Sequence, residues 1–135
     1  MIAYARINQP RNMDIMSMFT NLPSDIQTFL CTGQTDLRKS IDGLSSIVDI
    51  EFGLNPLSKS MYLFCGHKST VLKALYYDGF AFVMLVIRSD ETRFIWPRKD
   101  REMWKISRMT LINLFEGHKI GKEDALRVFP TLESN

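Results

Sequence analysis

The side chains able to do chemistry are few in this sequence and poorly spaced for it. Cys65 and His67 stand two apart around Gly66. On a strand end that spacing splays thiol and imidazole apart, whereas a working Cys–His pair normally comes from distant parts of a chain. They read instead as a buried Cys65 and a solvent-facing His67. Metal ligands are thin: His67 and His118 lie far apart, and Cys31 and Cys65 lack the close spacing by which one turn supplies two zinc ligands. Asp36, Asp42, Asp78, Asp90, Glu91 and Glu116 are the candidates for a two-metal nuclease. Asp36 falls at a helix start, Asp78 in a hairpin turn and Asp90-Glu91 in a loop, so position already explains residue type. Gly33-x-Thr-Asp lacks the glycine spacing and the lysine of a nucleotide loop, and there is no G-x-G-x-x-G. These residues point to no catalytic group, no metal and no cofactor.

Positive charge is the stronger signal. Residues 93–108 hold Arg93, Arg98, Lys99, Arg101, Lys105 and Arg108 against Asp100 and Glu102, a local +4 in a chain whose total is +2. Phe94, Trp96 and Trp104 interleave with them. Such a run can neutralise phosphates and, where its rings are exposed, stack on bases. The alternative is a solvated loop whose tryptophans turn inward. A second basic pair, Arg38-Lys39, lies near Asp42, which at helical spacing would tie up Arg38 in an ion pair.

The elements that must position these residues are legible from residue 26 onward. Residues 26–31 alternate as a strand, and Gly33-Gln34 turns the chain. Thr35 is a plausible N-cap and Asp36 suits a first helical turn. Leu37, Ile41, Leu44, Val48 and Phe52 then form an amphipathic stripe closed by Gly53, which predicts a helix over 35–53. Strands are predicted at 61–65, 71–77 and 80–87. Asp78-Gly79 signals a tight type I′ hairpin, and 80–87 is apolar enough to be covered on both faces. Residues 93–96 read as a further strand stopped by Pro97, and 103–106 as one at an edge. Ser107 caps a helix ending at Gly117, and 123–129 reads as a last short helix. The predicted fold is α+β, an antiparallel sheet of about four to five strands with two main helices packed on one face.

Residues 1–24 differ from the rest, with four of the eight methionines, several amides, and Pro10 and Pro23. They read as an extension, with a short helix near 13–19, to a single domain over 25–135. The full chain has 135 residues, 45% hydrophobic and 24% charged, ordinary for a globular protein. A net +2 argues against a surface that wraps nucleic acid. The longest apolar stretch, eight residues, is less than half a membrane span, and no signal-peptide core precedes it. The default compartment is the cytoplasm, with no membrane partner.

Residues 33–44, GQTDLRKSIDGL, resemble the signature of the TnpB accessory proteins of insertion sequence 66 transposons, roughly G-x-T-D-M-R-K-[GS]-x-D-G-L. Gly33, Thr35, Asp36, Arg38, Lys39, Asp42, Gly43 and Leu44 match. A second block is similar to that family's strand–D-G–strand unit ending in R-F-x-W-P, here Asp78-Gly79 and then Arg93-Phe94-Ile95-Trp96-Pro97. A late L-x-x-L-x-E-G run matches at Leu111, Leu114, Glu116 and Gly117. Two features depart from the pattern. The family's basic run entering the second strand is reduced to Lys68 and Lys73, and Thr92 replaces a glycine.

The resemblance implies a bacterial accessory protein acting beside a separate transposase that carries the strand-transfer chemistry. Under that expectation Arg38, Lys39, Lys73, Arg93, Arg98, Lys99, Arg101 and Lys105 supply phosphate contacts, with Trp96 stacking if exposed. The partners are DNA, the transposase or both. The alternative is a protein-interaction module that holds the transposase or a second copy of itself without touching DNA.

Overall fold

The computed structural model describes residues 2–7, 22–89 and 93–128. Seven strands form one sheet in the order β1-β5-β4-β3-β2-β6-β7. They are β1 (Ile2–Ile7), β2 (Gln27–Cys31), β3 (Ser60–Cys65), β4 (Val71–Tyr77), β5 (Phe82–Ser89), β6 (Met103–Ile106) and β7 (Ala125–Val128). The sheet is mixed, not antiparallel: β1 pairs parallel with β5 and β2 parallel with β3, the other pairings being antiparallel. The α+β expectation stands, with more strands than predicted. The parallel β2–β3 pair follows from its connection, since helix α1 (Ile41–Ser46) and a π-helical turn (Ile47–Glu51) carry the chain back across the sheet.

The two helices cover opposite faces, not one. Leu44, Ile47, Val48 and Phe52 pack on Phe29, Cys31, Tyr62, Phe64, Leu75, Met84 and Met103. Helix α2 (Arg108–Phe115) places Leu111, Leu114 and Phe115 against Leu30, Leu63, Cys65, Leu72, Ile87 and Trp104 on the other side. Strand β3 shows why: every residue from Ser60 to Cys65 is buried, so its alternating side chains need cover on both faces.

Several boundaries move. The first helix starts at Ile41, with Ser40 as its N-cap, five residues later than the Thr35 cap implies. Asp36 instead closes a local turn, its Oδ1 accepting from the Arg38 backbone N–H at 3.0 Å. Residues 93–96 alternate buried and exposed like a strand but join no ladder; Phe94 N–H donates to the Ser69 carbonyl at 2.7 Å. Strand β6 lies inside the sheet between β2 and β7. The predicted last helix is a 3-10 turn (Lys122–Asp124) followed by β7. The Asp78-Gly79 hairpin exists, but its loop has four residues, since Tyr77 pairs with Phe82. Asp78 Oδ1 accepts from the backbone N–H groups of Phe80 and Ala81, and Gly79 takes φ 96°. At the start of the N-terminal extension, residues 2–7 form β1; the helix expected near 13–19 lies outside the described residues.

Candidate functional site

Because β2 and β3 run parallel, their C-terminal ends lie side by side, and the loops that follow them share one end of the sheet. A third loop, ahead of β6, reaches the same end. Ligands in open α/β sheets commonly sit outside the carboxyl ends of strands, because loops there are held by a rigid frame.

Backbone hydrogen bonds knit the three loops together. Thr32 N–H donates to Glu102 O at 2.8 Å, Gly33 N–H to Pro97 O at 2.9 Å, and Thr35 N–H to Cys65 O at 2.9 Å. The Thr32 hydroxyl donates to the Asp100 carbonyl and accepts from Glu102 N–H at 2.7 Å. Gly33 takes φ 79°, a conformation that strains any residue with a side chain, and packs in ordinary contact with the Asp100 carbonyl of the neighbouring loop. Gly43 lies flat under Lys39, whose Cβ is 3.0 Å from where a glycine Cβ would stand. Most of the residues matching the family signature therefore build the frame of this end. Asp42 is exposed in the first turn of α1, and Asp78 and Gly79 belong to the hairpin tip at the opposite end of the sheet.

The basic residues divide into those the frame uses and those it leaves in solvent. Arg101 is a clamp. Its guanidinium pairs with Glu51 at 2.7 and 3.2 Å, donates to Gln34 O at 2.7 Å and Thr35 Oγ1 at 3.0 Å, and lies 5.9 Å from the Phe52 ring centroid. It ties the loop ahead of β6 to the loop after β2 and to the π-helical turn, so its guanidinium is engaged by the frame. Lys73, half-buried on β4, donates from Nζ to Lys39 O at 3.0 Å. Arg38 pairs with Asp36, not Asp42, at 2.8 Å; its side chain is 91% exposed. Arg38 also holds the Asp36 carboxyl far below the usual carboxylate range.

Arg98 donates to Ser69 Oγ at 3.0 Å and meets no carboxylate among the described residues. Lys39, Lys68, Arg93 and Lys99 are exposed and form no ion pair among the described residues. Lys105 sits on β6, facing the α1 side with Met103, away from the loops. The described loop residues carry seven basic against three acidic side chains, a local +4; Asp90 and Glu91 lie outside the described residues.

Trp96 and Trp104 are buried, which removes them as stacking platforms. Trp96 Nε1 donates to Cys31 O at 3.0 Å and Trp104 Nε1 to Glu102 Oε1 at 2.9 Å. Both rings belong to the core under α2. Cys65 and Cys31 are also buried, and burial pushes each thiol up to about 11, so neither is a thiolate near neutrality. His67 is exposed, as its spacing predicts. No group of three His, Cys, Asp or Glu side chains could hold a metal among the described residues, and none of their helices is long and apolar enough to cross a membrane.

Fold and site together define a small mixed-sheet α+β protein with a basic loop end. The model of the IS66 Orf2-like proteins, TnpB_IS66, matches residues 26–125, and the chain belongs to that family. It is thus a transposition-associated accessory protein. It is 32% identical over 98 residues to "Uncharacterized protein y4hO" of Sinorhizobium fredii (strain NBRC 101917 / NGR234), an overlap of 71% of this chain and 85% of that protein. No solved structure matches the chain.

Proposed function

We propose that this chain is a non-catalytic accessory protein of DNA transposition whose loop end contacts DNA phosphates, beside a separate transposase. One observation carries the reading: three loops bound to one another gather Lys39, Lys68, Arg93, Arg98 and Lys99 with no carboxylate partner among the described residues. The buried thiols support the non-catalytic part, since neither is placed or ionised as a nucleophile.

Each phosphate neutralised releases counterions, so roughly four contacts give a log–log salt slope of about −3.6. Duplex affinity then falls about 150-fold from about 50 to 200 mM salt. Fluorescence anisotropy on a labelled duplex measures this. The R98E/K99E variant should lose most of the affinity while keeping its fold. Binding that is insensitive to salt, or absent at low salt, refutes the proposal.

A second reading rests on β7, an outer strand with Leu126 68% exposed. Such an edge can add a strand from the transposase or a second copy. Loss of transposase pull-down in L126K, with DNA retention intact, favours this reading; the reverse favours the first.

A further inference from the structure

Between the loop after β2 and the loop after β3 lies an open cleft of about 590 Å³. That volume falls in the range of small-ligand sites, whereas a smooth duplex backbone needs only a convex or flat basic surface. Its composition is layered. Leu37 and Val71, both half-buried, supply apolar wall; Arg38 and Lys68 supply charge; Gln34 and His67 are exposed at its rim. Neither the Gln34 amide nor the His67 ring makes a side-chain hydrogen bond among the described residues. The cleft thus offers a free planar ring and a free two-way amide next to the unpaired Lys68 ammonium.

We infer that this cleft takes a nucleotide of unpaired DNA, with its phosphate at Lys68 and Arg38, its base against His67, Leu37 and Val71, and its polar edge toward Gln34. The inference rests on the DNA-binding reading above and narrows it to a strand form. A base inside a duplex hides its face in the stack; an unpaired one can lie on an imidazole or an aliphatic wall. The amide can donate to and accept from a base edge at once. Asp36 also lines the cleft and already holds one edge of the Arg38 guanidinium, through Nε and Nη2. Lys68 is therefore the principal phosphate contact, and Arg38 offers the guanidinium edge that Asp36 leaves open. The cleft walls are fixed where it matters: Thr35 N–H is bonded to Cys65 O, and Gly66 packs directly under Leu37.

The test compares a single-stranded oligonucleotide of about ten residues with the duplex of the same sequence, by anisotropy at about 50 mM salt. The single strand should bind the wild-type protein at least about tenfold more tightly. H67A should lower single-strand affinity about five- to tenfold while changing duplex affinity less than about twofold, because stacking is lost and charge is not. K68A should weaken both strand forms and flatten the salt slope by nearly one. His67 and Lys68 are exposed, so circular dichroism and melting of both variants should match wild type. Equal or tighter duplex binding, or an H67A variant that binds single strands normally, overturns the cleft assignment and leaves duplex binding standing. Absence of any DNA binding at low salt overturns both.

Discussion

Arg101 lies inside the basic run yet belongs to the frame, which makes R101A the most direct test of how this end of the molecule is built. Four interactions go at once. The paired carboxylate of Glu51 is partly exposed, which limits that bridge to about 1 kcal/mol. The charged hydrogen bond to Gln34 O adds about 1 kcal/mol. The Phe52 ring contact adds about 0.5 kcal/mol. Thr35, only 2% exposed, loses the donor to its hydroxyl oxygen. Together the substitution should cost about 2–3 kcal/mol, or about 10 °C in Tm for a chain of this size. Urea unfolding of wild type, R101A, E51Q and the double variant gives both the total and the Arg101–Glu51 coupling, expected near 1 kcal/mol. R101K should recover less than half, since an ammonium lacks the fork that reaches Glu51, Gln34 and Thr35 together. The salt slope of the proposed DNA binding should not change in R101A. A loss of stability under about 0.5 kcal/mol, with a slope flattened by nearly one, would refute the reasoning and make Arg101 a phosphate contact.

Two further outcomes follow from the packing. L44A and L114A each empty a fully buried site on opposite faces of the sheet, so each should cost about 2–5 kcal/mol in urea unfolding, and their effects should add. The buried thiols make an alkaline signature: the unfolded chain loses these protons near pH 9 and the folded one near 11, so their contribution is complete below about pH 8 and lost as pH rises through that window. Between about pH 8 and pH 10 wild type should lose about 2–3 kcal/mol more than C31A/C65A, and native thiols should resist alkylation at neutral pH. An identical pH profile for the two proteins counts against it.

What the sequence discloses depends on whether a signal is local. Ser107, Gly53, Gly79 and Gly117 stand where they should because caps and turns are decided within a few residues. The Thr35-Asp36 start fails for an instructive reason: the side chains that cap a helix also close an isolated turn, and here Asp36 does the latter. Residues 93–96 alternate because Phe94 and Trp96 reach the core from an irregular segment, so burial mimics a strand period without a ladder. Residues 125–128 hold Ala, Leu and Arg, good helix formers, and become a strand only because β6 offers an edge. The pairing of β1 with β5 spans most of the chain and leaves no local trace. At the site, the cations of residues 93–101 are plain in the sequence. That Gln34, His67 and Lys68 join them follows from the parallel β2–β3 pair, which a purely antiparallel sheet does not imply.

The division of labour at the loop end bears on how to read a nearly neutral chain. Gly33, Thr35 and Pro97 hold loops to one another and so does Arg101 despite its charge, while Lys73 ties β4 to the Lys39 carbonyl and Asp36 closes its own turn. Substitutions there should register first in stability. Lys39, Lys68, Arg93 and Lys99 stand outside that network, where a change of charge costs the fold little and the proposed contact much; Arg98 meets no carboxylate among the described residues but touches the loop after β3 through the Ser69 hydroxyl. The thinned basic run ahead of β4 is then less of a loss than its charge suggests. Of its two remaining lysines, Lys73 is spent on the Lys39 carbonyl, and Lys68 alone lines the cleft. A net +2 argues against wrapping a duplex, yet it is compatible with a small contact, because the charge proposed to matter is concentrated where three loops meet.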